Sequence, residues 1–487
     1  MSAISPVPVP SVKDRIFTLT KLFRLNPRVR AISGQGNLNP EVRVSTWIRT
    51  WFLASGRSVT DDLKKEMKAW ERIKDDNELP SDLLKGLCGM YLGLRQEMLV
   101  AKSEDEFIEL IRPRYDGYQA CAQAIGFYEK SRSELHALMH RYYRAKNSNP
   151  ELAVVTAPGW IPDKPILIAG SRGSELKFQF ETSAERPPRR PKVPDLDEAF
   201  HEVRQTLSLK SEMTNGETYR PLQVEVTQAG LQFTCGPGFY FDYQDSCEIL
   251  GAELAGWMLK NPGLAPDPNS TDLPLRKQVE DIFNLRNRCA VLGVSTLLIA
   301  VDGNRRGKYF WHERSQEVAV NPGSRSVVPS GTFQPFSANL GSHPGDFNIT
   351  STVLREFAEE LLGADDFNDA AKHPMSVRDC EELRPFLSQL DEGRATIHFL
   401  GIGIDPVTTV PEVLTAMVFR GDLLMRSVLE DFTPNFEGTF GTTPLSVEAL
   451  QYFARLPNVH SASAACASLV AKHYDYLLSS PNKSRAA

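Results

Sequence analysis

Apolar residues follow a helical period in the first third of the chain and form strand-like runs in the rest. Between residues 13 and 147 they recur three, four and seven positions apart, as in Leu83, Leu87 and Met90, which is typical of amphipathic helices. From about residue 150, short apolar stretches alternate with polar residues or run without interruption, which is typical of strands. The pattern predicts an α+β protein with a helical N-terminal region.

The pattern also assigns individual elements beyond residue 130. Strands are predicted at residues 152–156, 166–169, 176–180, 222–226, 231–235, 289–301, 308–315, 395–404 and 412–419. Helices are predicted at residues 131–143, 196–207, 246–260, 275–287, 446–456 and 461–478. The Gln228-Ala229-Gly230 stretch predicts a hairpin turn between two of these strands.

The chain length and the change of apolar pattern near residue 150 together predict several domains, because 487 residues exceed what one hydrophobic core usually holds. We expect a helical domain at 1–148, which would be a nucleic-acid-binding or oligomerisation module. An α+β extension of unassigned role follows at 149–285. A third domain with C-terminal helices occupies 286–487.

Composition is that of an ordinary globular protein, with 41% hydrophobic and 24% charged residues. No apolar run reaches the roughly 18 residues of a membrane-spanning helix, and no membrane association is expected. Seven scattered cysteines without a C-x-x-C pair argue against a zinc site or a disulfide framework. With no apolar signal core at the N-terminus, these features predict a cytoplasmic protein.

Charge is distributed unevenly along the chain. Residues 1–58 hold nine Lys and Arg against two acidic residues, although the whole chain carries a net charge of −6. A basic end on an acidic protein is either a surface for DNA or RNA, here residues 13–57, or a set of solvated side chains.

The stretch from Gly341 to Gly363 carries the strongest chemical signal. Glu356 lies three residues before Glu359 and four before Glu360, so all three carboxylates are expected on one side of a helix. Such carboxylates repel one another unless a cation lies among them, and oxygen ligands of this type suit Mg²⁺. A solvated acidic helix face is the alternative.

The same stretch resembles the Nudix box, G-x5-E-x7-R-E-U-x-E-E-x-G-U, where U is aliphatic. Gly341 matches the first glycine, and Arg355 with the three glutamates matches R-E-x-x-E-E. Phe347 replaces the first glutamate of the family pattern, and Leu362 replaces the last glycine, with Gly363 one position later. The resemblance covers about residues 285–430, where strand, turn, strand and glycine loop precede the box in the family's order.

The resemblance implies an α/β/α sandwich with a mixed sheet and a Nudix-type pyrophosphohydrolase that uses Mg²⁺ or Mn²⁺. It places the metal on Glu356, Glu359 and Glu360, and gives Arg355 the role of orienting a glutamate through an ion pair. The expected ligand is a nucleoside diphosphate derivative, and its expected contacts are Arg314, Ser330, Gly331 and Phe347.

Three functional interpretations follow. The retained R-E-x-x-E-E favours a hydrolase, whereas Phe347 and the basic N-terminal end favour a catalytically weak nucleotide sensor that regulates DNA or a protein partner. An interaction scaffold without a ligand, such as a homo-oligomer, is the third. His136 and His140 have the four-residue spacing of a metal-binding pair, but a packed pair is the favoured interpretation because no third ligand is evident.

Overall fold

The computed structural model describes residues 104–479, with gaps at 172, 174–175, 186–189, 191–192, 194–195, 197–199, 201–203, 205–214, 228–229, 265, 268–271, 303–305, 315–322, 336–345, 364–376 and 422–437. The basic residues 13–57 and Gly341 therefore lie outside the described residues. Within this part of the chain, no helix has both the length and the apolar character needed to cross a membrane.

The chain divides into two compact units, Met1–Phe127 with Lys192–Glu212, and Tyr128–Pro191 with Met213–Ala487. Of the first unit the structure describes residues 104–127 and a few positions between 193 and 204. The predicted division at residues 148 and 285 does not coincide with these units and stays a prediction.

Helices and strands occur throughout the described chain, which confirms the α+β class. The helices are α1 (Glu104–Tyr142), α2 (Tyr240–Tyr243), α3 (Ile249–Lys260), α4 (Pro274–Val279), α5 (Ile349–Leu361), α6 (Arg384–Asp391), α7 (Val447–Ala454), α8 (Ser461–Lys472) and α9 (Tyr474–Leu478). The strands are β1 (Ile166–Ala169), β2 (Lys177–Phe180), β3 (Glu217–Thr227), β4 (Gly230–Phe239), β5 (Gly293–Val301), β6 (Gly307–Arg314), β7 (Arg325–Val327), β8 (Ser330–Thr332), β9 (Ala395–Ile404), β10 (Pro411–Arg420) and β11 (Gly438–Pro444).

An eight-stranded mixed sheet forms the centre of the second unit, in the order β1-β9-β10-β5-β6-β11. β10 runs parallel to β5 and antiparallel to β9. The two short strands β7 and β8 pair with β6 and β5, respectively. A separate three-stranded sheet has the order β2-β4-β3 and contains the predicted hairpin.

Helices cover both faces of the large sheet. Successive residues of a strand point to opposite faces, and the central strands carry apolar side chains on both faces. On one face, Phe357 of α5 and Phe386 of α6 pack against Phe419 of β10, with ring centroids 4.9 to 5.9 Å apart. On the other face, Leu297 and Leu414 belong to a buried cluster with residues of α7, α8 and α9. Strands β5, β9 and β10 are almost entirely buried between these layers.

Several predicted elements differ in extent from the structure, such as the predicted strand 289–301, which begins at Gly293, and the predicted helix 461–478, which is divided into α8 and α9. The helix predicted at 275–287 is limited to α4 and a 3-10 turn at Leu285–Asn287. The side chains of Asp281 and Asn284 accept hydrogen bonds from the amides of Phe283 and Arg286, at 3.1 and 3.2 Å, and so compete with helical pairing.

The strand predicted at 152–156 is reduced to a single bridge between Val155 and Ile404. The Asn147 side chain instead holds this segment, because its Oδ1 accepts from the Thr156 amide and its Nδ2 donates to the Val154 carbonyl, both at 3.0 Å. Asn147 itself is buried.

Candidate functional site at the β8–α5 corner

Helix α5 carries the three glutamates and has defined ends. The Asn348 side chain caps its N-terminus by accepting a hydrogen bond from the Ser351 amide at 2.8 Å. At the other end, the Leu362 amide still donates to the Ala358 carbonyl at 3.1 Å. The left-handed backbone that ends the helix then falls on Gly363, where φ is +66°. The glycine lies one position later than in the Nudix pattern because the helix continues that far.

Arg355 fixes α5 to the sheet and is 1% exposed. Its Nη2 donates to the Thr332 carbonyl at 2.9 Å and to Glu356 Oε1 at 2.5 Å. A buried guanidinium requires acceptors of this kind, and a carboxylate partner makes the bond charge-assisted. The arginine therefore orients Glu356, which is the role that the resemblance implies for it.

Glu356 and Glu360 both face β8. The Ser330 amide donates to Glu360 Oε2 at 3.1 Å. Gly331 lies so close to Glu356 that a Cβ at this position would stand 2.0 Å from the carboxyl carbon. A larger residue at position 331 would displace the Glu356 carboxylate, and the structure brings Ser330, Gly331 and two of the three predicted metal ligands together.

Glu359 is half-buried on the same helix. Across the described ranges, no three His, Cys, Asp or Glu side chains form a group that could hold a metal ion. Carboxylate oxygens nevertheless suit Mg²⁺, which is commonly held by one or two carboxylates together with phosphates of the bound ligand. Glu356 and Glu360, on one face of α5, fit a partial site of that kind.

Phe347 takes the place of the family's first glutamate and lies among aromatic rings. Its ring centroid is 4.7 Å from that of Tyr219, 5.4 Å from that of Phe333, and 5.5 and 5.7 Å from those of Phe178 and Phe180. We name these five residues the aromatic cluster. It joins the three-stranded sheet to the residues that flank β8 and α5.

Burial and the nearby charge of Asp346 raise the pKa of Tyr219 in this cluster to about 12, so its hydroxyl stays protonated at neutral pH. The cluster thus presents rings and a neutral hydroxyl where the family pattern has a carboxylate.

Arg314 ends β6, next to His312 on the same strand. Burial, together with the charge of Arg314, lowers the pKa of His312 to about 4, so the imidazole is neutral at physiological pH. Among the described contacts, none joins Arg314 to α5 or β8, and its predicted role in ligand binding stays a prediction.

His136 and His140 are stacked on α1 with ring centroids 5.9 Å apart. Each Nε2 lies 2.7 Å from a backbone carbonyl oxygen, that of Ala153 and that of Leu152, respectively. The Nε2 atoms therefore serve as donors that hold the 152–153 segment, in agreement with a packed pair.

Sequence reasoning did not identify the Thr332 carbonyl as the acceptor for Arg355, because a backbone atom carries no residue signature. No protein-family model matches this chain. The search of curated proteins also found no match.

Proposed function

We propose that residues 286–487 form a Nudix-like domain that binds a nucleoside diphosphate derivative where β8 meets α5. The observation that carries this proposal is the placement of Glu356 and Glu360 against Ser330 and Gly331, with Arg355 buried behind them. The order of elements around this corner, strand, strand, glycine-bearing strand and acidic helix, supports it as well.

The chemistry of such a ligand suits this corner. Diphosphate oxygens concentrate negative charge, and a Mg²⁺ or Mn²⁺ ion would neutralise that charge and polarise the diphosphate. Glu356, Glu359 and Glu360 would supply the protein's oxygen ligands to the ion. Arg355 holds the Glu356 carboxylate in place through an ion pair, so this side chain loses little conformational entropy when the ligand arrives. Hydrolysis of the diphosphate linkage is the activity proposed for the site.

A specific observation favours a second function, that of a nucleotide sensor with weak or no turnover. Phe347 is committed to the aromatic cluster, so the position of the first Nudix glutamate supplies no carboxylate. In this case the domain binds the nucleotide, and the N-terminal region, with its basic residues 13–57, contacts DNA, RNA or a protein partner.

A thermal-shift screen with ADP, ADP-ribose and UDP-glucose, each with and without Mg²⁺, tests the proposal. We expect at least one of them to raise the melting temperature more with Mg²⁺ than without it, because a ligand that binds only the folded state stabilises it. Chromatography of the reaction mixture then separates the two functions, since a hydrolase releases a mononucleotide and a sensor does not. No shift with any probe would contradict both.

A further inference from the structure

Two carboxylates lie on the same face of the β9–β10 hairpin, on the side of the sheet opposite to α5. Gly403 pairs with Glu412, and Ile404 pairs with Pro411. The Asp405 amide then donates to the Val410 carbonyl at 2.9 Å, which extends the ladder by one pair. Asp405 and Glu412 are therefore diagonal neighbours on one face of the hairpin.

Asp405 accepts four hydrogen bonds. Its Oδ1 accepts from the amides of Val407 and Thr408 and from the Thr408 hydroxyl, at 2.9 to 3.0 Å. Its Oδ2 accepts from the hydroxyl of Ser461, the first residue of α8, at 2.7 Å. A carboxyl group that only accepts hydrogen bonds is ionised, so the negative charge of this hairpin is fixed on Asp405.

The surroundings of Asp405 agree with that charge. Burial alone would raise its pKa, but His136 of α1 and His460 before α8, together with the hydrogen bonds, lower the pKa to about 2. Arg132 and Tyr128 of α1 lie in the same region, since the negative charge of Asp405 contributes to raising the pKa of both side chains. The Asp405 carboxylate thus bonds the hairpin to the start of α8 and lies near the charged side chains of α1.

The surroundings of Glu412 stabilise a negative charge less well than those of Asp405. It accepts one described hydrogen bond, from the Ser295 hydroxyl at 3.2 Å. Its carboxyl group lies against the backbone of Gly293, because a Cβ built on Gly293 would lie 2.4 Å from the Glu412 carboxyl carbon. Cys466 of α8 is its other titratable neighbour, and burial keeps that thiol protonated by raising its pKa. No described cation compensates a charge on Glu412.

We propose that Asp405 and Glu412 hold one proton between them at neutral pH and act as a latch that loosens the contact between the β9–β10 hairpin and α8 when that proton is lost. The proton lies on Glu412, because Asp405 accepts four described hydrogen bonds and Glu412 accepts one. Loss of the proton places two like charges on one half-buried face of the hairpin, which repels the pair.

The sign of the pH effect follows from linkage. Burial, and then the charge of Asp405, raise the pKa of Glu412 from its ordinary value near 4.5 to about 8. Between these two values the folded protein binds more protons than the unfolded chain, so stability falls as the pH rises through this window. One proton changes the unfolding equilibrium constant by up to about tenfold per pH unit.

The experiment compares the wild type with Glu412→Gln between pH 5.5 and 8.5. Glutamine keeps an acceptor for Ser295 and cannot ionise, so the variant should become the more stable protein as the pH approaches 8. Glu448→Gln, which removes an exposed carboxylate on α7, is the matched control and should follow the wild type. Equal pH dependence in the wild type and Glu412→Gln would overturn the proposal.

Hydrogen exchange of the wild-type protein tests the latch even if Glu412→Gln fails to fold. After correction for the intrinsic pH dependence of exchange, protection of β10 and the first turn of α8 should fall between pH 6.5 and 8.5 relative to α5. Parallel changes in all three elements would refute a local latch.

Discussion

Among single residues, Arg355 is the one on which the candidate site depends most. Its guanidinium is buried and shared between a carboxylate and a backbone carbonyl, so it links α5 to β8 and fixes Glu356 at the same time.

Arg355→Ala should therefore destabilise the protein by about 3 kcal/mol, because it leaves the largely buried Glu356 carboxylate without its cation. Denaturant unfolding measures the loss. Arg384→Ala is the matched control, since its ion pair with Glu381 is exposed on both sides and should contribute less than about 1 kcal/mol. Equal losses in the two variants would show that Arg355 has no anchoring role.

The spacing of charged residues predicted where α5 lies but not how deeply Arg355 is buried. Arginine is an exposed residue on average, and its burial here depends on the contact with the Thr332 carbonyl of β8, which lies 23 residues away in the chain. In the same way, Asp405 and Glu412 are seven residues apart in the chain, and only the hairpin register makes them neighbours.

At the scale of elements, the aromatic cluster connects the two sheets of the second unit. Phe178 and Tyr219 come from the three-stranded sheet, Phe333 follows β8, and Phe347 precedes α5. The position of Phe347 therefore sets the entry of the chain into the acidic helix.

Phe347→Glu tests whether the Phe347 ring packs in the aromatic cluster or blocks a cation site. We expect a loss of about 2 to 4 kcal/mol in unfolding free energy, because a carboxylate replaces a ring among rings, and no gain in Mg²⁺ affinity. Phe347→Leu, which keeps an apolar side chain, should lose less. Unchanged stability of Phe347→Glu with tighter Mg²⁺ binding would instead show that Phe347 blocks a cation site.

Strand positions were easier to predict than helix ends. The run at 395–404 coincides with β9, because a strand buried on both faces is a continuous apolar stretch with clear limits. The failed helix at 275–287 contains Asp281 and Asn284, whose side chains bond the local backbone. Whether these residues form a helix or a turn depends on tertiary contacts and does not follow from the periodicity of apolar residues.

For the whole molecule, we propose that α5 presents its carboxylates to a cation that arrives with a diphosphate ligand. This proposal rests on the β8–α5 corner, where the Ser330 amide donates to Glu360. Oligomeric state and nucleic-acid contact stay predictions, the latter because residues 13–57 lie outside the described part of the chain.

The most direct test is a Mn²⁺ titration followed by electron paramagnetic resonance, with and without ADP, on the wild type and Glu360→Gln. Glutamine retains an acceptor for the Ser330 amide, so the fold should persist while one negatively charged oxygen ligand is lost. We expect Mn²⁺ binding that ADP strengthens in the wild type and in the control Glu448→Gln, and at least tenfold weaker binding in Glu360→Gln, about 1.4 kcal/mol. Equal Mn²⁺ binding by the wild type and Glu360→Gln would contradict this proposal.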